Sequence, residues 1–163
     1  MSALRDAFAK AGISRPQPKA VHVAAPACPY CGGDAEMVTG EVLYPHRPDL
    51  HAKRFWRCAP CDAYVGCHAP GQGYGDGTRP LGRLANAELR AAKLATHAAF
   101  DPLWRDGHLS RKDAYSWLAA GLGIRVDKCH VGLFTVAECQ RAAGLCAAKY
   151  RRLTEAALFA KSE

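Results

Sequence analysis

Cys28-Pro29-Tyr30-Cys31 and Cys58-Ala59-Pro60-Cys61 decide the fold. Each Cys-x-x-Cys pair puts two thiols on one tight turn. Two such turns facing each other make a tetrahedral four-thiolate cage, the geometry of closed structural Zn²⁺ sites. Cys28, Cys31, Cys58 and Cys61 are therefore read as ligands of one structural zinc ion. The competing reading is of four ordinary buried cysteines. With every position filled by thiolate, such a zinc has no open place for water or substrate, so it folds the chain rather than performing chemistry. The stretch between the pairs is longer than in the commonest ribbons, which requires a longer hairpin between the knuckles. Gly32-Gly33 after the first pair suits a backbone that must turn tightly near a metal.

Strand-forming sequence flanks both knuckles. Glu36–Leu43 suits a strand or hairpin with Gly40 near the bend. Lys53-Arg54-Phe55-Trp56-Arg57 leads into the second knuckle and Ala63-Tyr64-Val65-Gly66-Cys67 leads out of it. Before the ribbon, Ser2–Gly12 reads as a short amphipathic helix and Ile13–Ala27, with three prolines, as a linker. After it, Ala69–Pro80 carries four glycines and reads as a flexible loop. Its spacing is not that of a phosphate-cradling loop. From Leu81 the pattern turns helical. Asn86 is placed to cap a helix reaching Phe100, which Asp101-Pro102 stops. Ser110 opens a second helix, with Gly121 as its C′ residue, and Thr135-Val136-Ala137-Glu138 is a capping box opening a third. The expected fold is α+β, a small zinc ribbon of short antiparallel strands followed by a three-helix domain. The expected division is 1–27 helix and linker, 28–80 ribbon and glycine loop, 81–163 helical domain with a basic tail.

Composition bounds the partner. The chain has 163 residues, is 49% hydrophobic and carries a formal charge of +7. A basic balance favours nucleic acid or another polyanion. No apolar run approaches the ~20 residues that span a bilayer, and no signal-peptide stretch opens the chain, so a membrane partner is not expected. Cysteines at metal spacing fit a reducing, cytoplasmic setting.

Two surfaces suit nucleic acid. In the ribbon, Arg47, Lys53, Arg54 and Arg57 interleave with Tyr44, Phe55, Trp56 and Tyr64, so cations can track a backbone while an aromatic such as Trp56 stacks on bases. Strand alternation turns only one of Phe55 and Trp56 inward. On the first long helix, Arg90, Lys93 and His97 share one face, opposite the stripe Ala85, Leu89, Ala92, Thr96 and Ala99. A solvated polar face is the plainer reading of the same spacing. Cys139 and Cys146 read as small core hydrophobes, and Trp104 and Trp117 as helical core. The dipeptides Cys67-His68 and Cys129-His130 form a second metal site only if they meet in space. His46, Asp49 and His51, or His68, His97 and Asp101, offer an alternative as a metal-dependent nuclease. No H-E-x-x-H, paired-carboxylate or Ser/Cys-His pattern supports an enzyme, and no catalytic residue is assigned.

The run Ala63–His68, then Pro80-Leu81-Gly82, Leu89-Arg90, His97, Phe100-Asp101-Pro102-Leu103-Trp104, Ala114-Tyr115, Trp117-Leu118, Cys129-His130, Gly132 and Phe134 resembles a family of zinc-finger-containing proteins of phages and bacteria. The resemblance runs from about Cys28 to Cys146. It implies a zinc-binding domain and a phage or prophage setting. It brings no activity, and it draws attention to His68, His97, Asp101, Cys129 and His130 as a second site. The function expected is that of a non-enzymatic nucleic-acid-binding accessory protein. The alternatives are the nuclease and an adaptor or inhibitor that docks on a host or phage protein through the N-terminal helix.

Overall fold

The structure is a computed structural model that describes residues 24–71 and 75–159. The helix expected over Ser2–Gly12 lies outside the described residues. Three strands form one antiparallel sheet in sequence order: β1 (Glu36–Thr39), β2 (Arg54–Cys58) and β3 (Ala63–Gly66). Thr39 pairs with Arg54 and Glu36 with Arg57, while Phe55 pairs with Gly66 and Cys58 with Ala63. The β1–β2 connection is not a simple hairpin. Gly40–Leu43 (α1) and Pro48–His51 (α2) are single helical turns. Gly40 is required there, because a Cβ would run into the Leu50 carbonyl.

Both faces of this small sheet are covered. Trp56 and Cys58, two residues apart, share one face with Ala63 and pack with Cys28, Ala35 and Leu84. Phe55 and Tyr64 lie on the other face, under Tyr44, whose ring centre is 5.7 Å from Phe55 and 5.9 Å from Tyr64. Phe55 and Trp56 are therefore both buried, at 9% and 7% exposure. Alternation separates them onto opposite faces as expected; the expectation that one of them faces outward fails because Tyr44 folds back over its side. The glycine loop returns along β3, with bonds from His68 N to Arg79 O and from Trp56 Nε1 to Thr78 O.

The helices are α3 (Ala87–Phe100), the single turn α4 (Pro102–Arg105), α5 (Arg111–Leu122) and α6 (Val136–Phe159), with short 3₁₀ turns at Val126–Lys128 and Val131–Leu133. Their starts follow the sequence. Asn86 Oδ1 accepts from Leu89 N, and Ser110 Oγ accepts from Asp113 N. Thr135 N donates to Glu138 Oε2 while Glu138 N donates to Thr135 Oγ1, a reciprocal capping box. The end of α5 departs from expectation. Gly123, at φ +70°, is the C-cap. Gly121 lies inside the helix, where a Cβ would come within 3.2 Å of Leu145 on α6.

α3 packs along α6 around Leu89, Phe100, Leu118, Phe134, Cys139 and Cys146. The buried Thr96 hydroxyl sits between the Ala92 carbonyl of its own helix and the Cys139 carbonyl of α6, at 2.9 and 3.1 Å. Leu84 belongs to the ribbon cluster and its neighbour Ala85 to the helical one, so consecutive residues link the two cores. Among the described residues no helix is long and apolar enough to cross a membrane.

Candidate metal centre

The two knuckles are built by backbone bonds that close tight turns. Cys28 N donates to Gly33 O at 2.7 Å and Gly32 N to Cys28 O at 2.9 Å, with Gly32 at φ +75°. In the second knuckle Asp62 N donates to Ala59 O at 3.1 Å, and Asp62 itself takes φ +44°, a conformation Asp tolerates better than most residues. The sheet then brings the turns together, because β2 ends in Cys58 and Ala35 precedes β1. The four Sγ atoms of Cys28, Cys31, Cys58 and Cys61 lie within 4.8 Å of one another. Cys31 Sγ and Cys58 Sγ are 3.6 Å apart. Tetrahedral Zn–S bonds of about 2.3 Å put sulfurs roughly 3.8 Å apart. The donor set and its spacing thus fit a zinc ion, and these four cysteines could hold it. Burial pushes the Cys28 thiol up, but backbone N–H groups of Tyr30 and Cys31 and the neighbouring thiols outweigh this and bring it down to about 7. Hydrogen bonding with Cys31 comes first among the effects that push Cys61 up to about 12. Four crowded thiols resist losing four protons; a divalent cation supplies the charge that lets them do so.

The knuckles also hold the start of α3. Tyr30 Oη accepts from Asn86 N at 3.2 Å. Arg90 Nη2 meets Asp62 Oδ2 at 2.8 Å, Nη1 donates to the carbonyls of Asp62 and Ala85, and the guanidinium lies 4.2 Å from the Tyr64 ring centre. One residue of the helix therefore ties the second knuckle, the sheet and the helix entry. Lys93 is likewise committed. Its Nζ donates to Gly132 O at 2.8 Å and reaches Arg83 O at 3.4 Å, and burial pushes its ammonium down from the ordinary value. His97 stands apart and exposed, 3.5 Å from Asp101. The basic helix face expected to contact phosphates is thus a set of struts at Arg90 and Lys93. Replacing Arg90 by Ala is expected to cost about 2 kcal/mol, because it takes the guanidinium from the Asp62 carboxylate and carbonyl and releases the second knuckle. The same variant should leave the salt dependence of any nucleic-acid binding unchanged. Chemical unfolding alongside binding at several salt concentrations checks both halves; unaltered stability with a flattened salt slope would overturn the assignment.

Trp56 is not the outward stacking surface that the sequence suggested, being buried with its Nε1 committed to Thr78 O. Arg57 is half-buried, Arg47 is exposed and paired with Asp49 at 2.8 Å, and Lys53 and Arg54 are exposed. Arg54 also donates to Asp76 O.

The residues considered for a second metal site are not brought together. Cys67 and His68 line a cavity beside β2 and β3. His97 and Asp101 border a different cleft on α3, where Asp101 is held by Arg105 at 3.0 Å. Cys129 is fully buried in the helical core, and His130 is exposed beside Tyr115. Among the described residues, the cage cysteines are the one group of three or more His, Cys, Asp or Glu with ligand atoms in mutual reach. The nuclease alternative built on His68, His97 and Asp101 loses its geometry with them. Cys139 and Cys146 are buried as core residues, as their spacing suggests. A cleft lined by Arg111, Lys112, Tyr115 and His130 was not singled out as a unit from sequence. Its signal was two consecutive cations at a helix start, where the helix dipole disfavours positive charge.

No curated protein and no solved structure matches this chain. A profile of the zinc-finger-containing domain family matches residues 24–149. That span contains both knuckles, the sheet and all but the end of α6, and the chain belongs to this family of zinc-finger-containing domains.

Proposed function

We propose that this zinc-finger protein is a non-enzymatic nucleic-acid-binding accessory protein of phage or prophage type, with the ribbon as its binding element. The phage setting is taken from the family resemblance. The observation that carries the reading is a cavity of about 630 Å³ on the ribbon, walled by Tyr44, Phe55 and Leu81 and rimmed by the exposed Lys53 and Arg54. The partly exposed Tyr44 ring beside exposed cations at a strand start is the kind of element single-strand binders use. Burial, first, and the hydrogen bond to Tyr64 push the Tyr44 hydroxyl up to about 12, so it stays neutral beside a polyanion. The formal charge of +7 adds long-range attraction. Zinc enters indirectly, by fixing the strand that presents Lys53 and Arg54.

The test is fluorescence anisotropy with single-stranded and duplex oligonucleotides over a range of salt. Affinity for the single strand is expected to fall with added salt. Replacing Lys53 and Arg54 together by Ala should flatten the logarithmic salt slope by about 1.4, or about 0.7 for each phosphate no longer neutralised. Binding that ignores salt, or failure of every oligonucleotide, would sink the reading.

A further inference from the structure

The cleft of about 350 Å³ at the start of α5 lies away from the ribbon and is lined by Arg111, Lys112, Tyr115 and His130. Arg111 is held there by aromatic rings. Its guanidinium carbon is 5.5 Å from the centre of the Trp104 ring and 5.6 Å from that of Tyr115. The His130 ring centre is 6.4 Å from Tyr115 on the same cleft.

Four other arginines of the chain show what a nearby carboxylate does. Arg47 takes Asp49 and Arg125 takes Asp127, each two residues on, while Arg90 and Arg105 take Asp62 and Asp101. Arg111 has Asp113 at the same two-residue spacing, yet does not use it. Asp113 is turned back to Ser110, whose hydroxyl donates to it at 2.6 Å. Among the described residues neither Arg111 nor Lys112 forms an ion pair. Two cations thus stand side by side without an ion pair, one of them within cation–π reach of two rings, on a cleft shared with an imidazole. A guanidinium held this way keeps its N–H fork for a planar or tetrahedral oxyanion.

We propose that this cleft is a phosphate-binding site, with Arg111 as the fork, Lys112 as the second charge and His130 as a further donor. Resting on the reading above, its phosphate is a backbone phosphodiester of the strand that the ribbon engages.

The test uses the zinc-loaded full chain, ¹⁵N-labelled, titrated with a single-stranded oligonucleotide and separately with pyrophosphate. The oligonucleotide is expected to shift the amides of Arg111, Lys112 and His130. The double substitution Arg111→Gln with Lys112→Gln, which keeps the aliphatic stems, should weaken the oligonucleotide about tenfold. Arg111→Lys should recover only part of that loss, since it restores charge but not the fork. Unchanged oligonucleotide affinity in the double variant, with folding intact, overturns the proposal and leaves nucleic-acid binding by the ribbon standing. If no oligonucleotide binds the parent, the ribbon reading fails. Pyrophosphate then decides this site by itself: shifts confined to the cleft support it, and none overturns it.

Discussion

Replacing Cys58 by Ala is expected to unfold the ribbon and leave the helices standing. A structural zinc supplies an apparent binding free energy of about 10–16 kcal/mol in zinc-finger peptides, against a stability of roughly 5–15 kcal/mol for a whole domain. Here the ribbon's own buried cluster is small: Cys28, Ala35, Trp56, Cys58, Ala63 and Leu84. Two of these six belong to the four-cysteine cage, so an unmade cage also exposes much of what packs around it. The helical cluster is larger and takes its residues from Ala85 onward, around Phe100, Leu118 and Phe134. Far-UV circular dichroism should therefore keep most of its helical signal. Zinc content should fall from one ion per chain to none, and emission from Trp56, buried in the parent, should move to the red. Chelation of the unmodified protein should give the same spectra, which separates loss of metal from loss of a side chain. Zinc should also be held less tightly as pH falls, because the ligating thiolates regain protons. A Cys58→Ala protein that still holds one zinc and unfolds like the parent would refute the four-thiolate site.

Local chemistry was legible where it is self-contained. The Cys-x-x-Cys spacing, the Asn86 and Ser110 caps and the Thr135–Glu138 box all act within a few residues, so their sequence states their structure. What the sequence withheld depends on what lies opposite. Helical spacing puts Arg90 and Lys93 on one face, but not what meets that face. Asp62, whose carboxylate takes Arg90, is 28 positions away, and the Gly132 carbonyl that takes Lys93 is 39 away. Strand alternation likewise separates Phe55 from Trp56 without revealing that Tyr44 returns to roof one side. Gly121 and Gly123 are equivalent as stop signals in one dimension; only the fold shows that the chain leaves the helix at Gly123, in the left-handed conformation, while Gly121 sits against Leu145. The basic count was informative about charge and misleading about position. Several cations are structural: on α3, Arg90 is spent on Asp62 and Lys93 on backbone carbonyls.

Gly82→Ala is expected to cost about 3 kcal/mol, at the upper end of what overpacking does. Gly82 lies between the ribbon and the helices, and a Cβ there would run into the Gly132 carbonyl and its carbon. That carbonyl also accepts from Arg83 N at 3.1 Å and from Lys93 Nζ at 2.8 Å. Moving it aside to admit a methyl group would strain both bonds, one of them to a half-buried ammonium that has no other strong acceptor among the described residues. Backbone on both sides leaves no flexible side chain to give way. Gly132→Ala is the informative control. Its Cβ would meet the Leu81 carbonyl at 3.1 Å, a contact that a shift of a few tenths of an ångström relieves. It should therefore cost clearly less than Gly82→Ala. Urea unfolding of the zinc-loaded variants measures both. Equal costs at the two glycines, or no cost at Gly82, would mean that the Leu81–Gly82 and Gly132 segments do not cross as closely as this packing requires. The ribbon and the helices would then be joined chiefly through Arg90 and the Leu84–Ala85 step.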